Sequence, residues 1–450
     1  MINWKKDKLK NLCNRIGDGL HGTPEYVEKG SVFFINGNNL KDGKIIITND
    51  TKKISNKTLE KNFRELNKKT LLLSINGTLG SMAFYRGENV MLGKSAAYLN
   101  FKTEINRFYY YYFKLKGVQE YFFNVATGST IKNLGLKSIQ DFEVPVPDKN
   151  SWTKIAKVLS DLDAKIELNN KINKELEAMS KTIYDYWFVQ FDFPMSKEQA
   201  VELGKPELAG KPYKSSGGKM VYNEQLKREI PEGWEVRFLK DEMDLQYGFP
   251  FSTKLFNSSK NGIPVIRIRD IQGCSISNYS TEIVDEKYKL NKGDIVVGMD
   301  GNFHINYWNR DNCYLNQRSL RIRSTNESIS EIQTRYSIEP YIKAREQNVS
   351  RTTVAHLSAR DVNDLKVIIA NGKLQKKANQ IFNSILNKTI SNSVENRELM
   401  SVRDWLLPML MNGQVRVVHP GEDRDLKDGY EQAEEKLGMV EEDKGKKGKG

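Results

Sequence analysis

Cysteine is scarce: Cys13, Cys274 and Cys313 are the only three in 450 residues, far apart and never in a CxxC pair. That excludes a disulfide framework and a spaced-cysteine zinc site, and it fits a reducing cytoplasm. Histidine is scarcer than its chemistry requires. His21, His304, His356 and His419 show no HxxxH or histidine–carboxylate spacing, so no metal or acid–base centre is written into the local sequence. No run approaches the roughly 18 apolar residues of a membrane span. The opening Met1-Ile2-Asn3-Trp4-Lys5-Lys6 lacks an apolar core, so a secretory leader is not expected.

What is present begins with charge. Lys and Arg outnumber Asp and Glu by 70 to 57, a formal net charge of +13, which favours a polyanionic partner over a neutral or acidic one. At this length two or three domains are expected.

An internal repeat organises the chain. Ser129-Thr130-Ile131-Lys132-Asn133-Leu134 matches Thr352-Thr353-Val354-Ala355-His356-Leu357, and Asn173-Lys174-Glu175-Leu176 matches Asn396-Arg397-Glu398-Leu399 (352 against 129, 396 against 173: a separation of 223 each time). Leu92 and Ser95 fall on Leu315 and Arg318 in the same register, while Asn76-Gly77 and Asp300-Gly301 lie one residue further apart. One register held through several blocks is a duplication.

Each copy has two parts. The first, 1–148 and 231–371, carries short β-like runs such as Val32-Phe33-Phe34-Ile35, Leu71-Leu72-Leu73, Val265-Ile266-Arg267-Ile268 and Ile295-Val296-Val297, punctuated by Gly, Asn and Asp. Phe108-Tyr109-Tyr110-Tyr111-Tyr112-Phe113 reads as a helix packed in the core rather than a stacking surface for bases. The second part, 149–192 and 372–413, is a long helix. In the distal copy Leu374, Ala378, Ile381, Ile385, Lys388, Asn392, Glu395, Leu399, Val402, Leu406 and Met409 alternate steps of four and three. The proximal copy runs Ile155, Leu159, Leu162, Ile166, then Ile172, Leu176, Met179, Ile183 and Trp187, interrupted around Asn169-Asn170. Polar residues at matching places in both seams predict that the helices pair, buried Asn fixing the register. One helix over 151–188 would rise about 57 Å, on the order of 17 base pairs of B-DNA. Residues 193–230, with Lys211-Pro212-Tyr213-Lys214-Ser215-Ser216-Gly217-Gly218, read as a linker, and 414–450, densely charged, as a disordered tail.

Two phosphate-binding patterns fail on inspection. Gly17-Asp18-Gly19-Leu20-His21-Gly22 fits G-x-G-x-x-G, but Thr23-Pro24 follows where a dinucleotide fold needs a helix, leaving a polar loop whose backbone can approach a DNA groove. Between Gly87 and Gly93-Lys94-Ser95 lie five residues where a P-loop has four. No Asn-Pro-Pro-Tyr or Asp-Pro-Pro-Tyr of an amino-methyltransferase and no nuclease carboxylate–lysine cluster occurs.

The remaining chemistry is of the base-reading kind. In the second copy Arg267, Arg269 and Asp270 alternate with Val265, Ile266, Ile268 and Ile271, predicting a strand that packs one face and projects two arginines. Arginine binds guanine O6 and N7 bidentately. Asn316-Gln317-Arg318 and Arg351-Thr352 add donors, as do Asn36-Gly37-Asn38-Asn39 and Thr127-Gly128-Ser129-Thr130 in the first copy. Where one copy has Asn36, Gly37 and Asn38, the other aligns Arg267, Ile268 and Arg269, which suits an asymmetric two-part target.

These features resemble the specificity subunit of type I restriction-modification systems. The resemblance rests on Asp18-Gly19-Leu20-His21-Gly22-Thr23-Pro24-Glu25-Tyr26, Glu143-Val144-Pro145-Val146-Pro147, Tyr184-Asp185-Tyr186-Trp187-Phe188, Pro212-Tyr213-Lys214-Ser215-Ser216-Gly217-Gly218 and Pro231-Glu232-Gly233-Trp234, and it covers Trp4 to Gly413. Two departures stand out: Val367-Ile368-Ile369-Ala370 replaces the proline-rich entry in the second copy, and the tail beyond Pro420 matches no family element. The resemblance implies an α+β fold, with two target-recognition domains in pseudo-two-fold arrangement separated by a pair of long antiparallel coiled-coil helices. It also implies a non-catalytic cytoplasmic subunit that binds double-stranded DNA, two modification subunits and, where present, two restriction subunits, without a membrane. S-adenosylmethionine would belong to the modification partner, ATP and Mg to a restriction partner, and no cofactor to this chain. Candidate DNA contacts are Asp18, Gly19, His21, Thr23, Asn36, Asn38, Asn39, Asn76, Lys94, Ser129 and Lys132, then Tyr247, Arg267, Arg269, Asp270, Asn302, Asn316, Gln317, Arg318, Arg351 and Thr352. Candidate coiled-coil and partner-binding residues are Leu162, Ile166, Leu176, Ile183, Trp187, Ile381, Ile385, Asn392, Leu399 and Trp405. The alternatives are a self-sufficient DNA-modifying enzyme and a coiled-coil scaffold with no DNA role.

Overall fold

A computed structural model describes residues 4–325, 328–347 and 355–418; Arg351, Thr352 and nearly all of the charged tail lie outside the described residues. The chain divides into two compact units, one comprising the residues up to Ala164 together with those from Met400, the other Lys165–Leu399.

In the first unit an antiparallel sheet runs in the order Cys13–Asp18, Ala96–Phe101, Thr70–Ser74, Met82–Phe84. The two central strands are buried at every residue, as a sheet covered on both faces requires. Strand alternation then divides their side chains. Leu71, Leu73, Ala97, Leu99 and Phe101 pack with Phe108, Tyr109 and Phe113 of the helix Asn106–Phe113, while Leu72, Ala96 and Tyr98 face Ile35, Val90 and Leu92. The aromatic stretch is therefore core, with Tyr109 Oη donating to the Pro145 carbonyl at 2.9 Å. Val32–Ile35 lies parallel to Val90–Leu92, and Lys6–Lys8 closes antiparallel on Glu143–Pro145.

The second unit repeats the plan. Its sheet runs Met243–Tyr247, Ser319–Ser324, Ile295–Gly298, Ile305–Tyr307; Ile263–Ile266 lies parallel to Cys313–Leu315. Glu235–Phe238 closes on Lys366–Ile369, so Val367-Ile368-Ile369 makes the strand that Glu143-Val144-Pro145 makes in the first unit. Proline is dispensable there because the pairing, not the ring, holds the strand.

Residues 193–230 are not a loose linker. Ser196 caps the helix Lys197–Glu202 in a reciprocal box with Gln199, and Met220–Asn223 pairs with Arg228–Pro231. Phe191, Phe193, Met195 and Tyr213 are buried around Trp234. The Gly-Pro-Ser composition serves a tight turn: Tyr213 stacks on Phe193 at 4.6 Å, and Gly218 lies so close to the Tyr213 ring that a Cβ would sit 2.5 Å from it.

The long helices are Lys149–Tyr184, continued by a π-helical turn at Asp185–Val189, and Gly372–Met411. In the first unit Ile155 and Leu159 share a core with Leu407 and Leu410, and Arg403 Nη1 donates to Asp163 Oδ1 at 2.7 Å. In the second, Asn169 Nδ2 donates to Asn396 Oδ1 at 2.9 Å, and Asn392 Nδ2 to Asn173 Oδ1 at 2.8 Å. Partners rise on one helix as they fall on the other, so the pairing is antiparallel. Under the repeat register Asn169 corresponds to Asn392 and Asn173 to Asn396, so the two amide bonds are each other's image when the helices are exchanged.

The predicted seam holds only in part. Leu176, Ile183, Trp187 and Ile381 pack against the second unit's core and Ile385 lies within it; Leu162, Ile166 and Leu399 are half-buried. Met179 and Val402 are exposed, and Ser180 and Arg403, one residue on, turn inward instead to Tyr336 and Asp163. A helix of 3.6 residues per turn drifts away from a strict 3.5 repeat, which carries the next residue inward. Asn169→Leu is expected to cost about 2 kcal/mol by leaving the buried Asn396 carbonyl short of a donor. Asn169→Leu with Asn396→Leu should recover most of it; urea unfolding followed by circular dichroism measures both.

Candidate nucleic-acid interface

Three turns converge at one end of each sheet, and the same backbone hydrogen bonds build them twice. In the first unit Leu20 N donates to Leu92 O at 2.8 Å and Gly93 N to Ile35 O at 2.8 Å; in the second Phe249 N donates to Leu315 O at 2.8 Å and Asn316 N to Ile266 O at 3.0 Å. Gly19 and Gly248 precede the equivalent donors. A Cβ on Gly19 would lie 2.0 Å from the Leu92 carbonyl oxygen, and one on Gly248 1.9 Å from that of Asn316. The close approach that glycine permits at position 19 is thus to the protein's own backbone, and Gly19 is buried rather than a groove contact.

After the parallel strand each copy makes a capped turn. Asn36 N donates to Asn39 Oδ1 at 2.9 Å, and Arg267 N to Asp270 Oδ2 at 3.0 Å. This confirms the equivalence of 36–39 with 267–270 and corrects three expectations. The strand ends at Ile266, so Arg267 and Arg269 stand on a turn and a short helix, Ile268–Ile271, not on one strand face. Asp270 is buried and spent as a cap, and Asn39 likewise binds backbone on both sides, its Nδ2 donating to Ile46 O at 2.9 Å. Cap residues are chosen for the turn's orphan amides, which makes them poor base readers.

Around these turns the second unit gathers Arg267, Arg269, Asn302, His304, Asn316, Gln317 and Arg318 about one open hollow of about 470 Å³. Two of the arginines are positioned by neighbours. The Arg267 guanidinium lies 5.8 Å from the Phe256 ring centroid, and Arg269 Nη2 donates to Asn278 Oδ1 at 2.8 Å. Tyr247 does not join them: its hydroxyl is buried beside the sheet core, which raises its pKa. A larger hollow, about 720 Å³, lies instead in the 193–233 lobe, where lysines and glutamates already pair, as in Lys373–Glu198 at 3.3 Å.

The first unit presents a counterpart without arginine. Asn38, Lys94, Thr23, His21 and Ser129 are exposed. His21 Nε2 lies 2.7 Å from Asp18 Oδ2. Ser95 Oγ donates to Asn36 Oδ1 at 2.9 Å. Asn76 bridges to Asn133, and Lys132 Nζ stands 5.3 Å from the Phe123 ring. Sequence reasoning missed Asp300, His356, Phe256 and Asn278. The first two lay within the repeat register, as partners of Asn76 and Asn133; the other two carry no local signal.

All three cysteines are buried, and burial pushes the thiols of Cys13 and Cys274 up to about 12 and about 11, so neither is a thiolate at neutral pH. No described helix is long and apolar enough to cross a membrane.

Two stretches of the chain, residues 1–178 and 231–399, match the type I restriction modification DNA specificity domain. The chain therefore belongs to that family, as a specificity component and not a catalytic one. It is 25% identical over 444 residues to the type I restriction enzyme MjaIX specificity subunit of Methanocaldococcus jannaschii, covering 92% of this chain and 94% of that one. It is 32% identical over 135 residues to the EcoBI specificity subunit of Escherichia coli, 30% of this chain and 28% of that one. Among solved structures, the type I restriction-modification S subunit of M. genitalium superposes with a TM-score of 0.57 at 18% identity, over 91% of this chain and 96% of that one.

Proposed function

We propose that each unit reads one half of a split, asymmetric DNA target, and that the long helices carry partner subunits which methylate adenine and, where present, cleave. The observation that supports this most is the doubly built set of turns, one copy presenting amides and hydroxyls and the other arginines around a single hollow. A shared framework with unlike side chains suits two unlike half-sites. The partners would supply S-adenosylmethionine, flip the adenine out and hold it during transfer. Trp405, exposed on the distal helix, and the exposed Met179, Met400 and Val402 are apolar groups that a modification subunit would cover. Localisation would be cytoplasmic, with the DNA.

Arg267→Ala with Arg269→Ala is expected to weaken specific binding roughly tenfold or more, confined to one half-site. Competition gel shifts with duplexes altered in one half or the other measure it. Equal weakening on all sequences would reduce these arginines to phosphate contacts, and unchanged affinity would remove them from the interface. Binding as a whole should fall steeply with salt. The target itself comes from methylome sequencing with and without the gene; retention of every methylated motif after deletion would overturn the reading.

A further inference from the structure

Beside the arginine-lined hollow the second unit holds a charged cluster that the first unit lacks. The Asp300 carboxylate lies between two cationic or polar neighbours, with His356 Nδ1 2.6 Å from Oδ1 and Arg318 Nε 3.5 Å from Oδ2. The backbone ties all three together. Met299 N donates to Arg318 O at 2.9 Å, Leu357 N to Met299 O at 2.8 Å, and Asp300 bridges to His356. The first unit repeats these ties with Ile75 N to Ser95 O at 2.9 Å, Leu134 N to Ile75 O at 2.9 Å, and Asn76 bridging to Asn133. Asp300, Arg318 and His356 therefore occupy the places of Asn76, Ser95 and Asn133. Three neutral groups in one copy are three ionisable groups in the other.

We propose that Asp300 is a positioning residue for base readout: by holding Arg318 through Nε it aims the guanidinium's two terminal nitrogens at the O6 and N7 of a guanine in the half-site read by the second unit. The proposal rests on the DNA-reading role of the hollow and adds the base and the residue that fixes it. Arg318 sits in the left-handed backbone region, φ 66°, on a turn pinned by its own carbonyl, so its side chain leaves from a defined point on the rim of the hollow. An unpaired arginine would serve any phosphate in reach, whereas one in an ion pair at Nε leaves its two terminal nitrogens as a planar fork turned away from the carboxylate. The carboxylate itself is repelled by DNA. Its presence on this surface works against non-specific affinity, and its return is selectivity.

The test uses the full chain assembled with its modification partners and the duplex found by methylome sequencing. Asp300→Ala should lower the preference for guanine over adenine at one position of one half-site by roughly tenfold. Affinity for unrelated DNA should hold or rise, because a negative charge has left the interface. Asp300→Asn, which keeps an acceptor oxygen, should fall between. Replacing the responsible guanine by 7-deazaguanine, which lacks the N7 acceptor, should weaken the unaltered protein about tenfold and Arg318→Ala not at all. Parallel loss on cognate and unrelated DNA, an unchanged preference, or a second half-site without guanine would each overturn the proposal. Absence of any sequence preference in the unaltered complex would instead sink the DNA-reading role beneath it.

Discussion

Phe382→Ala is expected to destabilise the second unit by about 3–5 kcal/mol, the range for deleting an aromatic ring from a packed interior. Phe382 is wholly buried, 6.3 Å from the Phe188 ring, in the core where the helix Gly372–Met411 meets the 185–234 lobe. Of the lobe's other aromatics, Phe193 stacks on Trp234 and Phe191 meets the same ring edge-on, so none can rotate into the space without leaving its own contacts. The cavity would persist and carry its full cost. In urea the transition midpoint should fall with the slope unchanged. Leu159, which stands 223 residues earlier and is equally buried in the first unit's core, provides the internal comparison: Leu159→Ala should cost about 2–4 kcal/mol. A loss below about 1 kcal/mol at Phe382 would mean that the lobe is not packed on the helix.

The duplication, the aromatic helix and the helix pairing were legible because each is a pattern over many residues. The helix seam was legible where apolar spacing and packing coincide, at Ile381, Ile385 and Leu176, and failed at Met179 and Val402, where rotational drift put the next residue inside. The lobe at 193–230 was hidden because glycine, proline and serine serve a tight structural turn and a loose linker equally well. Its aromatics and those at its borders, Phe191, Phe193, Tyr213 and Trp234, were the better signal. At the interface, composition located the turns but not the division of labour within them. Asn39 and Asp270 have the chemistry of base contacts and are spent on capping, which only hydrogen-bond geometry distinguishes. Asp300 was passed over for a different reason: in the sequence it marks only the repeat register with Asn76, and its pairing with Arg318 and His356, 18 and 56 residues further on, appears only in the fold.

The duplicated framework makes a paired prediction at its tightest points. Gly248→Ala would place a methyl group 1.9 Å from the Asn316 carbonyl oxygen and 2.9 Å from that of Leu315. Both obstacles are backbone, held by the strand that ends at Leu315, so neither yields as a flexible side chain would. Relief requires breaking the bond from Phe249 N to Leu315 O, the tie that keeps the turn of Asn316, Gln317 and Arg318 in place. A cost of about 3 kcal/mol to the second unit is expected, at the upper end for overpacking. Readout of one half-site should be lost while the other half-site is still discriminated. Gly19→Ala, whose Cβ would meet the Leu92 carbonyl oxygen at 2.0 Å, should do the same to the opposite half-site. Gly273→Ala, with nothing within 4 Å of its Cβ, is the control and should stay within about 0.5 kcal/mol of the unaltered protein. Thermal unfolding together with gel shifts on half-altered duplexes separates the outcomes. If Gly19→Ala and Gly248→Ala weaken the same half-site, the two sets of turns do not face separate parts of the target.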